Sequence, residues 1–117
     1  MIGPKHYTLN DRGEPVHEPD LLKWCRWFEG VERKVAETVV GEGSVSTVFL
    51  GFDHGHWPSS ARAPILWETM VFGGPLNEAQ RRCSGSREQA LAMHAEMVEA
   101  VQVVLAFLER NHGSRFL

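Results

Sequence analysis

Cysteine is scarce in this chain. Its 117 residues hold two, Cys25 and Cys83, far apart and in no Cys-x-x-Cys pair. That excludes a zinc ribbon and a dithiol redox motif, and it leaves two reduced thiols that behave as small apolar side chains. Uninterrupted apolar runs are short as well: none approaches the roughly 18–20 residues that a membrane span needs. The opening Met1-Ile2-Gly3-Pro4-Lys5-His6 lacks the charged and then apolar regions of a secretory signal, so the expected location is cytoplasmic, without a membrane. Excess positive charge is absent too. The net charge is −3 with histidines neutral, which argues against direct nucleic-acid binding but leaves room for a local anion site. No GxxxxGK, GxGxxG, HExxH or GxSxG motif occurs, and no serine or cysteine stands beside a histidine as a nucleophile would. The expectation is therefore a protein that is not an enzyme and carries no cofactor.

What is present describes a folded domain. Apolar residues make up 43% and charged residues 23%, near the average for globular proteins, and 117 residues suit a single domain spanning 1–117. A chain this short buries roughly two-thirds of its unfolded surface, so its stability is modest unless subunits associate.

The order of elements can be read along the chain. Asn10-Asp11-Arg12-Gly13 lies between two short extended pieces and predicts a hairpin, because these residues adopt turn dihedrals cheaply. Pro19 and Asp20 then open a helix over 19–29 that Gly30 stops, with Leu21, Trp24 or Cys25, and Phe28 as its buried stripe and Trp27 displaced from it. Three strands follow: 31–40; 45–52, apolar on both faces and hence central; and 64–72. Glycines around Glu42 reverse the chain between the first two. Short connections favour an antiparallel meander. Ser86-Arg87-Glu88-Gln89 is a capping box that opens a long helix to about Arg110. Leu91, Val98, Val101, Leu105 and Leu108 form its main stripe. Met93, Met97, Ala100, Val103, Val104 and Phe107 widen the apolar surface beyond the roughly 100° that one sheet covers. The surplus predicts burial on a second side, most simply in a homo-oligomer, a dimer. The fold class is α+β: an antiparallel sheet of three to five strands packed by a short N-terminal helix and a long C-terminal helix.

Two constellations could carry chemistry. Phe49-Leu50-Gly51-Phe52-Asp53-His54-Gly55-His56-Trp57-Pro58 ends an apolar run in an acid, two histidines and a tryptophan. Asp53, His54 and His56, with Glu68 from the next strand, make the donor set of a small metal-dependent hydrolase, since His54 and His56 would share a side of an extended chain. Gly55 and Pro58 predict a turn that breaks that alternation, so a structural or ligand-contacting loop is favoured and no metal is assigned. The better candidate is Arg81-Arg82-Cys83-Ser84-Gly85-Ser86-Arg87: three arginines on a flexible loop that opens a helix, where free amides and the helix dipole favour an anion. The candidate ligand-binding residues are thus Arg81, Arg82, Arg87 and Ser86, with His54 and Trp57 as weaker additions. Glu78 and Glu88 dilute that field. His94 falls between Leu91 and Val98 on the main helical stripe and is expected as a core histidine with its hydrogen bonds met.

The segments VSTVFLGFDH (45–54), PILWETMVFGGPL (64–76) and REQALAMHAEMV (87–98) resemble a family of small proteins common in bacteriophage and prophage genomes. YTLNDRGEPV (7–16) and WCRWFE (24–29) resemble that family's opening. The family brings no established chemistry, so no catalytic residue is carried over; the His56-Trp57 pair and the arginine segment depart from its pattern. The resemblance implies an accessory binding protein that counters host defence, by sequestering a nucleotide signal or by blocking a host defence protein such as a CRISPR effector. A minor virion structural protein is the remaining alternative.

Overall fold

A computed structural model describes residues 5–55 and 62–114, the last three through their backbone only. The fold is α+β. A two-stranded hairpin, β1 (Tyr7–Leu9) and β2 (Pro15–His17), precedes helix α1 (Leu21–Gly30). A four-stranded sheet follows, built from β3 (Lys34–Val40), β4 (Gly43–Phe49), β5 (Trp67–Phe72) and β6 (Gln80–Cys83), and the long helix α2 (Arg87–Ser114) closes the order. The sheet is antiparallel in the order β3-β4-β5-β6, so the predicted meander holds, with β4 in a central place.

Local chemistry explains most boundaries. The Asn10 carboxamide oxygen accepts the amides of Arg12 and Glu14, and Gly13 takes φ 75, which closes the first hairpin. The Asp20 carboxylate accepts the amides of Leu22 and Lys23. Asp20 is thus the N-cap, and α1 begins at Leu21, later than the predicted Pro19. Between β3 and β4 only Gly41 of the two central turn residues has positive φ, the signature of a II′ hairpin. At α2 the capping box forms in both directions, Ser86 N–H to Gln89 Oε1 at 3.0 Å and Gln89 N–H to Ser86 Oγ at 3.2 Å.

The sheet has one covered and one open face. Helix α2 packs across all four strands. Facing it at the turn end, Val40, Val45 and Val71 enclose Met97 and Val101. At the other end Phe49, Leu66 and Trp67 enclose Ala90 and Met93, with Trp27 of α1 edge-on to Phe49 at 5.9 Å. Each fully buried large apolar side chain of this kind contributes about 1.5–3 kcal/mol. A polar seam divides the two clusters. His94 Nε2 meets Thr38 Oγ1 at 2.9 Å, His94 Nδ1 meets Thr47 Oγ1 at 2.8 Å, and Thr47 bonds Thr69. His94 is 6% exposed, a core histidine with both nitrogens satisfied, and burial pushes its pKa down.

Three expectations need correction. Trp27 is not displaced from the core; it joins it, while Leu21 is 56% exposed. Met93 and Met97 do not belong to a surplus face of α2, because its own sheet buries them. Residues 80–83 are not part of a flexible loop. They form β6, and Glu68↔Arg82 and Thr69↔Arg81 are paired positions. Alternating residues such as Arg81 and Arg82 do not read as a strand in isolation, and the pairing with β5 supplies what propensity does not.

Candidate functional site

The end of β4 is a clamp. One oxygen of Asp53, Oδ1, accepts the Gly55 amide, the Ile65 amide and Arg62 Nη1, each at 2.9 Å. The carboxylate is 3% exposed. Burial raises its pKa, but the Arg62 bond and the Ile65 and Gly55 amides outweigh that, and the net pKa lies below the ordinary value. Asp53 thus ties together the two described ends of the 53–65 segment. His54 Nδ1 donates to the Phe52 carbonyl at 2.9 Å, since a carbonyl can only accept. Its ring stacks on Phe52 at 4.2 Å. Glu68 is held at β5 by Arg82, at 2.6 Å. Each carboxylate of the expected donor set therefore has its own arginine. Among the described residues no three His, Cys, Asp or Glu gather as metal ligands. His56 and Trp57 lie outside the described residues.

The arginines do not converge. Arg81 lies on the covered face and pairs with Glu96 of α2 at 2.8 Å. Arg82 lies on the open face with Glu68. Adjacent residues of a strand point to opposite faces, which is the physical reason the expected triplet separates. Arg87 stands apart from both. Together with Ser86, Glu88 and Leu91 it lines a cleft of about 590 Å³, whose other wall is Arg12 and Glu14 of the first hairpin. This is the volume of a small-molecule site. Its two cations face two acids, so the cleft carries little net charge.

Sequence reasoning missed two features. The first is an aromatic cluster behind the clamp. His6 and Phe28 lie 4.5 and 4.6 Å from Trp24, and the Trp24 indole donates to the carbonyls of Tyr7 and Gly51. Gly51 takes φ 84 with Phe28 against it, so a side chain there would both strain the backbone and strike the ring. The individual aromatics are visible in the sequence, but their meeting across 17 and 27 residues is not.

The second feature is the open face of the sheet. Val39, Ser44 and Phe72 stand opposite one another across three strands. Val39 is 77% and Phe72 52% exposed. The next rows of that face hold Ser46 with Met70, then Val48 with Glu68 and Arg82. No helix or strand among the described residues packs against it. Its charges are matched locally, Lys34 with Glu37 at 3.3 Å and Glu68 with Arg82. The signal was available: Val39 and Phe72 break the polar alternation that a solvated face requires.

In comparisons with protein-family models, curated proteins and solved structures, none matched this chain.

Proposed function

We propose that this chain is a non-catalytic binding protein, a phage or prophage accessory factor that acts in the host cytoplasm and counters host defence by occupying a host protein. The observation that carries the reading is the Val39–Ser44–Phe72 row, apolar at both ends, solvent-exposed and left uncovered on the open sheet face. A small residue between two larger ones makes a notch that an apolar side chain of a partner can enter. The bordering charges are already paired, so the face offers no net field to a nucleic acid or nucleotide. An apolar centre with a polar rim suits a protein surface. The phage–host context comes from the family resemblance alone.

The test is a plating assay in hosts that each carry one defence system. Expression of the chain is expected to restore phage plating in one of them, and the double substitution Val39→Asp with Phe72→Asp is expected to remove the rescue while leaving the melting temperature nearly unchanged. The reading fails if no host is rescued, or if the double substitution rescues as well as the natural sequence.

The cleft lined by Arg12, Ser86 and Arg87 favours a second reading, sequestration of a nucleotide signal. It predicts that cyclic dinucleotides raise the melting temperature and that Arg87→Ala abolishes the rise. A rise that survives Arg87→Ala would place the ligand elsewhere.

A further inference from the structure

The second uncovered apolar surface is on α2, and its partner is independent of the host-protein reading above. The helix has 28 residues, about 42 Å of length, while β3 and β4 have 7 residues each and span about 23 Å. It therefore outruns the sheet. Ala90, Met97, Val101 and Leu108 lie on one stripe at spacings of seven and four. The first three are buried and Leu108 is 45% exposed. The sheet's turn ends at Gly41, which sits against Leu105. Beside this stripe runs another, Ala100, Val103 and Phe107, with Val103 59% and Phe107 55% exposed and Val104 half-buried between the two stripes. Gln102 and Glu109 occupy the remaining side, and Ala106 and Arg110, three and seven residues after Val103, border its stripe. Leu105 packs on the edge of the core, but Val103, Phe107 and Leu108 expose apolar surface, and a helix end with so little packing is marginal in water.

We infer that two copies of this chain pair through the distal half of α2, helix against helix, antiparallel about a two-fold axis near Val103. The charges select this arrangement. Glu96 and Glu99 precede Val103 on the helix and Arg110 follows it. An antiparallel pair centred on Val103 sets Arg110 level with Glu96 of the second copy, which also holds its own Arg81, and one turn from its Glu99. A parallel pair would set Glu96 against Glu96 and Arg110 against Arg110. The same centre brings Phe107 within one residue's rise, about 1.5 Å, of Ala100 of the second copy, a large side chain over a small one. Val103 meets Val103 on the axis, as an isologous interface requires.

A lipid surface is the competing occupant. Over Arg87–Asn111 the helix is long and apolar enough to cross a membrane by length and composition. Its inner stripe from Ala90 to Val101 is sealed against the sheet, however. Its charged residues are Glu88, Glu96, Glu99 and Glu109 against Arg87 and Arg110, the wrong sign for an anionic bilayer.

Sedimentation equilibrium of the full chain at micromolar concentration tests the inference. The expected mass is twice 13.2 kDa. Val103→Glu with Phe107→Glu, at positions exposed within the single chain, should return the single-chain mass with the circular dichroism spectrum retained. Oxidation should cross-link Val103→Cys, whose Cα atoms would meet within about 4.4–6.8 Å, and leave Glu109→Cys, about 120° around the helix and well away from the axis, uncross-linked. Four results overturn the inference: a single-chain mass for the natural sequence, a dimer that the glutamate pair leaves intact, equal cross-linking at both cysteine positions, or flotation with phosphatidylserine vesicles in place of self-association.

Discussion

His94→Leu isolates what the polar seam contributes. Leucine keeps roughly the shape of the side chain between Met93 and Met97 but breaks the bonds to Thr38 Oγ1 and Thr47 Oγ1. Thr47 retains Thr69, and Thr38 is half-buried, so neither hydroxyl is left wholly stranded. At about 1 kcal/mol net for each lost bond, the variant should be destabilised by about 2 kcal/mol at pH 7.5, a fall in Tm of about 8 °C for a domain of this size. The pH dependence is the sharper part. Burial holds the folded-state pKa of His94 below its ordinary value, so as pH falls below about 6.5 the unfolded chain takes up a proton that the folded chain refuses. The stability that the neutral imidazole secures is complete above that pH and is lost on acidification toward the folded pKa. The variant lacks this loss. Urea unfolding from pH 7.5 down to pH 5 should therefore show the gap between natural and variant chains narrowing. A gap that stays constant, or one below about 0.5 kcal/mol at pH 7.5, would refute the reasoning.

Other substitutions probe other parts of the fold. Asp53→Asn removes the charge that Arg62 and two amides surround, and should cost about 3 kcal/mol in urea unfolding. Because the net pKa of Asp53 is lowered, that contribution is present above about pH 4 and disappears on further acidification, so the gap should close there. Gly43→Ala would place a Cβ 2.6 Å from the Gly73 carbonyl oxygen and 2.8 Å from that of Phe72, both backbone atoms, and should lower Tm more than any substitution at exposed Val39. Arg81→Ala breaks an ion pair whose partners are 54% and 60% exposed, and should change stability by less than about 1 kcal/mol in the same assay.

The elements whose cause is local were readable in the sequence. The Asn10–Gly13 turn, the Ser86–Gln89 capping box and the seating of His94 follow from short-range hydrogen bonding and helical spacing, and all three are observed. Strand β6 was not legible, because Gln80-Arg81-Arg82-Cys83 has neither apolar alternation nor β-branching and is extended through its pairing with β5. With it went the expected arginine cradle: the strand sends Arg81 to Glu96 and Arg82 to Glu68, and Arg87 alone of the three lines the cleft with Arg12, which is far away in the chain. The excess of apolar surface on α2 was legible, but its location was not. Met93 and Met97 are consumed by the sheet, and the uncovered part lies further along at Val103, Phe107 and Leu108, since the point where the sheet ends depends on tertiary geometry.

Hydroxyl-radical footprinting of the chain, free and bound to the host protein whose defence it relieves, tests the central claim most directly, because Phe72 and Met70 on the open face are both readily oxidised side chains. Phe72 should be oxidised in the free chain and protected in the complex, with Leu91 beside the cleft unchanged. Protection confined to the cleft, with Phe72 oxidised equally in both states, would contradict the account.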